Sequence, residues 1–116
     1  MKNPSLADFS PRYLEEMING LNIALNRYTE NKYSNSFIDS VRTIKFYWWK
    51  LIEDLIWQGN ELVQRNEITL NICSGWLTTV YEIVDLSKKR RKPKHYRVLY
   101  SRLHLLRNIL TKEVKR

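Results

Sequence analysis

The residues best equipped for chemistry in this chain are cations gathered toward its C-terminus. Lys88, Lys89, Arg90, Arg91, Lys92 and Lys94 fall in the run KKRRKPKH, Arg97 follows closely, and His104 lies two helical turns beyond it. Such groups give hydrogen bonds and charge to phosphate oxygens irrespective of base sequence. The whole chain is +8 at pH 7, but the charge is unevenly spread. Residues 1–87 carry eight Lys/Arg against eleven Asp/Glu, a balance of −3, whereas residues 88–116 carry twelve Lys/Arg against Glu113 alone, a balance of +11. So local an excess goes beyond what solubility needs and predicts a polyanionic partner.

A second group mixes cations with rings. Arg42, Lys45 and Lys50 are interleaved with Phe46, Trp49 and Trp57. Aromatic faces stack on unpaired bases while Lys and Arg hold phosphates, which is how sequence-tolerant single-strand binders work. Five aromatic residues within Phe46 to Trp57 also exceed what one bundle face needs, so Trp49 and Trp57 are read first as filling subunit contacts or a wide core.

These residues must be positioned by helices. Only three Gly and three Pro occur in 116 residues, which suits long helices and short loops in one all-α domain. Ser10-Pro11 starts a first helix with Leu14, Met17, Ile18, Leu21, Leu25 and Tyr28 on one stripe; residues 1–9 are expected to be a flexible N-terminus. TENKYSNS, Thr29 to Ser36, reads as a polar loop, with Ser36 and Asp39 opening a second helix. That helix has Phe37, Val41, Ile44, Trp48, Leu51 and Leu55 along its seam and continues through a possible kink near Gly59 to Leu62 and Val63. A third begins near Thr69, with Cys73, Trp76, Leu77, Val80, Ile83 and Val84 inward, and runs out at Leu86-Ser87. Repulsion and Pro93 then favour an extended basic loop over 88–95, and a fourth helix carries Tyr96, Leu99, Leu103, Leu106 and Leu110. The expected architecture is a single four-helix bundle with a basic loop before its last helix. On that last helix Val98, Leu105 and Ile109 make a second apolar stripe, read as a subunit interface with an ordinary scatter of exposed apolar residues as the alternative, while Arg97, Ser101, His104, Asn108 and Lys112 make a polar face.

Other chemistries find little footing. The two His have no carboxylate or Cys neighbours at metal or nucleophile spacing, and no glycine loop for phosphates exists. No catalytic residue, metal or cofactor is expected. Cys73 is read as a buried apolar filler; one Cys forms no internal disulfide, and no apolar run suggests a signal peptide or membrane span, so a cytoplasmic location is expected.

From Gly59 to Asn108 the chain resembles the C-terminal helical region of the large subunits of type III and type I-D CRISPR effectors. The corresponding elements are the polar start Ser74 to Trp76, the helix Leu77 to Leu86, the Lys88 to Lys94 loop and the Tyr/Leu-rich helix Tyr100 to Asn108. In type I-D systems the same module exists as a free small subunit. The resemblance implies a non-catalytic protein stacked in copies along a Cascade-like antiviral complex, with guide RNA, target DNA and other subunits as partners and base pairing supplying specificity. Size, charge and helical class are also similar to the small accessory proteins of diversity-generating retroelements, which bind a reverse transcriptase and its RNA. Arg97 with His104 has the R-x6-H spacing of the helical HEPN ribonucleases, but Val98 stands where that family places a polar residue, so His104 is read as a phosphate-side group.

Overall fold

A computed structural model describes residues 11–115; the expected flexible segment 1–9 and the Ser10 cap lie outside the described residues. The described chain is helical, with no strand among those residues. Five helices follow in order: α1 (Pro11–Asn31), α2 (Asn35–Gln58), α3 (Asn60–Arg65), α4 (Glu67–Val84) and α5 (Pro93–Lys115). One more is present than the sequence pattern suggests, because the expected kink at Gly59 is a break. Gly59 sits at φ 143, a region open to glycine but strained for side chains with a Cβ, and its N–H closes α2 onto Leu55 and Ile56 carbonyls.

The start of α2 also differs from the sequence reading. Ser34 caps the helix, its hydroxyl accepting from the Phe37 N–H at 3.0 Å. Ser34 and Ser36 are both competent caps, and tertiary ties decide between them: Arg27 on α1 donates to the Ser36 carbonyl and the Ser40 hydroxyl, fixing the α1–α2 turn. Residues 29–31, read as loop, extend α1.

The seams expected from apolar spacing form one core. Leu14, Met17, Leu21, Phe37, Val41, Ile44, Leu51, Leu55, Leu77, Val80, Leu99, Leu103, Leu106 and Leu110 are all buried in it. Each such side chain contributes about 1.5–3 kcal/mol on burial. Helix α1 packs on α2 and α5, and α4 packs on α5 and, more lightly, on α2. Gly20 permits the close approach of α1 to α2, since a Cβ there would meet the Tyr47 ring at 3.0 Å. Cys73 is buried as expected; burial, followed by the charge of Glu113, pushes its thiol up to about 12. No described helix is long and apolar enough to cross a membrane.

Candidate nucleic-acid interface

The connection between α4 and α5 spans residues 85–92 and is folded into a turn. The N–H groups of Arg90 and Arg91 both donate to the Ser87 carbonyl, at 2.9 and 3.1 Å. Pro93, expected to hold the loop open, instead opens α5, where its fixed φ suits the first helical position and its missing N–H costs nothing. His95 completes the start, its Nδ1 accepting from the Lys92 N–H at 2.9 Å, the role a Glu plays in a capping box.

Within this turn the cations divide by role. Arg91 is half-buried, and its Nη1 donates to the carbonyls of Val84 and Leu86 at 3.0 Å each, closing the C-terminus of α4. Its charge is committed to the helix end, as a cation at that pole should be. Lys88, Lys89, Arg90, Lys92, Lys94 and Arg97 are exposed, and none of them forms an ion pair with a described residue.

The α2 cations are differently placed. Arg42 pairs with Asp39 at 3.3 Å and Lys50 with Glu53 at 3.8 Å, while Lys50 also lies over the Phe46 ring and Lys45 over the Tyr81 ring, each at 5.4 Å. Local partners therefore occupy all three. Trp57 is 90% exposed and Trp49 56% exposed, so neither is spent on the core. Trp49 borders an apolar cleft between α2, α3 and α4, about 390 Å³, with Trp48, Ile52, Leu70 and Leu77 among its walls. On α5, Val98 and Ile109 are half-buried against the core and Leu105 is 37% exposed, so α5 offers a narrower free stripe than its spacing suggests.

His104 is not freely solvated. It is half-buried between Arg107, whose Nη2 lies 3.2 Å from Nε2, and Asn108, whose amide lies 3.2 Å from Nδ1; Arg107 also donates to Asn22 on α1 at 3.5 Å. Because Arg107 can only donate, Nε2 is the accepting nitrogen of that pair, while the Asn108 amide nitrogen faces Nδ1. Among the described residues no three His, Cys, Asp or Glu side chains converge in a metal-binding group.

A further cluster is formed by tyrosines far apart in sequence. Tyr28 of α1 stacks on Tyr100 of α5, with centroids 4.6 Å apart and planes at 26°, and Tyr28 also meets Phe37 edge-on at 5.4 Å. Tyr33, in the α1–α2 turn, stands edge-on to Tyr96 at 4.9 Å. Sequence spacing placed Tyr28 and Tyr96 in the core and left Tyr33 and Tyr100 without a role; the one available signal was the pair Tyr96 and Tyr100, a turn apart beside Arg97. Comparison with known proteins supplies no relative: no family model matches the chain, and no curated protein or solved structure matches it.

Proposed function

We propose that this chain is a non-catalytic nucleic-acid-binding subunit of a larger assembly, a four-helix bundle that presents a basic loop to sugar–phosphate backbones. The observation that carries the reading is the contrast between its cations. Lys88, Lys89, Arg90, Lys92, Lys94 and Arg97 stand exposed and unpaired among the described residues, while Arg42, Lys45 and Lys50 have acids or rings beside them. Six unpaired cations in ten residues repel one another unless an anion lies across them, and phosphates spaced along a strand meet that need. The resemblance over Gly59 to Asn108 directs the proposal to the small subunit of an RNA-guided CRISPR effector, in the cytoplasm, contacting guide RNA–target DNA backbones beside copies of itself. His104, held by Arg107 and Asn108, acts in this reading as a phosphate-side group.

Affinity for mixed-sequence nucleic acid should fall steeply with salt, by about 0.7 to 0.9 in log–log slope for each phosphate contact. Replacing Lys89, Arg90 and Lys92 with Ala should flatten the slope by roughly two contacts' worth while leaving the helical signal intact. An unchanged slope would remove the loop from the interface. Purification of the native complex distinguishes the assemblies: a guide RNA with repeat-derived ends supports the effector, and a reverse transcriptase transfers the binding role to a retroelement.

A further inference from the structure

We infer that the cleft between Tyr33 and Tyr100 is a slot for one unpaired nucleobase, so that the ligand of the basic end is single-stranded where it crosses this site. The inference rests on the proposed nucleic-acid binding and specifies its form. The cleft is about 480 Å³, within the roughly 300–1,000 Å³ usual for small-ligand sites. Its aromatic walls are Tyr33, 44% exposed, Tyr100, 37% exposed, and the half-buried Tyr28. The two exposed rings are held in place. Tyr100 lies on Tyr28, which is braced by Phe37, and Tyr33 stands against the buried Tyr96. A ring already ordered loses little freedom when a base stacks on it.

The polar groups of the cleft suit a base better than a phosphate. Glu30 is exposed, forms no ion pair with a described residue, and would repel an anion while accepting from the N–H groups on a base edge. The Thr29 hydroxyl donates to the Leu25 carbonyl, which leaves its oxygen to accept, and Asn31, whose Oδ1 takes the Tyr33 N–H, keeps its amide hydrogens to donate. One cation lines the cleft itself and another stands at its edge. Lys32 lies over the Tyr33 ring at 5.1 Å, and Arg97 precedes Tyr100 by one turn on the exposed side of α5. Rings, hydrogen-bonding groups and positive charge brought together in this way suit a base with its own phosphates. A base within a duplex already has both faces covered by its neighbours and cannot enter.

The test compares one mixed-sequence single strand with the same strand annealed to its complement, using the full chain. Tyr33→Leu and Tyr100→Leu should each weaken single-strand binding about tenfold, the loss of one base–ring stack, while duplex binding changes little and Tyr100→Phe retains affinity. Equal loss on both ligands, or no loss on either, overturns the slot. If wild-type protein binds neither ligand, the proposed function itself fails; if it binds both and only the loop substitutions matter, that function stands and the slot falls. Ultraviolet cross-linking of the unaltered protein to the single strand decides the matter even if a variant misfolds. Base adducts on Tyr33 or Tyr100 support the slot, and adducts confined to other residues such as Trp49 and Trp57 overturn it.

Discussion

Replacing Arg91 with Met should destabilise the protein, even though it removes one charge from a crowded run of cations. The Met side chain keeps most of the apolar stem and deletes the guanidinium that donates to Val84 and Leu86 at 3.0 Å each. Hydrogen bonds from a charged donor are worth about 1.5–3 kcal/mol each, and half-burial puts this pair near the lower bound, about 3 kcal/mol together. The opposing term is relief of repulsion from Lys88, Lys89, Arg90 and Lys92. At roughly 10 Å in water each neighbour adds about 0.4 kcal/mol, and screening by about 0.1 M salt reduces the sum to about 0.6 kcal/mol. The net loss is about 2 kcal/mol, a fall in Tm of roughly 8 °C for a domain of this size. Thermal and urea melts followed by far-ultraviolet circular dichroism measure it, with Arg90→Met, at an exposed position, as the control expected within about 0.5 kcal/mol of wild type. Raising the salt should enlarge the Arg91 effect, because it removes the compensating relief. If Arg91→Met melts with or above Arg90→Met, the carbonyl contacts contribute nothing and Arg91 returns to the phosphate-binding set.

Two further outcomes follow from burial. Leu105, 37% exposed, should accept Glu at a cost of about 1 kcal/mol while losing incorporation into the native complex, whereas Leu103→Glu, fully buried, should unfold the domain; equal unfolding of the two would place Leu105 in the core. Cys73 should resist iodoacetamide in the native protein at pH 8 and react once denatured, since its thiol is pushed up to about 12 and stays protonated. The sign for stability follows from the same shift: the unfolded thiol ionises near its ordinary 9.0 and the folded one does not, so stability falls by about 1.4 kcal/mol per pH unit from there to about 12, a loss that Cys73→Ala should remove in alkaline melts.

The helical seams were legible because burial imposes a period: Leu99, Leu103, Leu106 and Leu110 could share a face only on a helix, and all are fully buried. Where a choice depended on partners distant in sequence, the pattern was silent. Ser34 prevails over Ser36 as the α2 cap in a turn tied down by Arg27, thirteen residues before Ser40 in the chain. Gly59 shows in sequence that a strained φ is possible but not that it is adopted. The basic run was legible as charge, yet nothing in KKRRKPKH marks which Arg turns back to close a helix end. The tyrosine cleft was least legible of all, because it exists only once α1 lies on α5.

That packing has a consequence for how the chain comes to be folded. Helix α5 lies against both α1 and α4, so the cationic end of the sequence, residues 88–116, also contributes the helix that closes the core. During synthesis α1 and α2 can pair early, but the faces of α1 and α4 that pack on α5 meet it only once it has left the ribosome. The positive charge is thereby built into a structural member. Proteolysis that removed α5 would uncover the faces of α1 and α4 that pack on it, so the chain would lose its basic end and its fold in the same event.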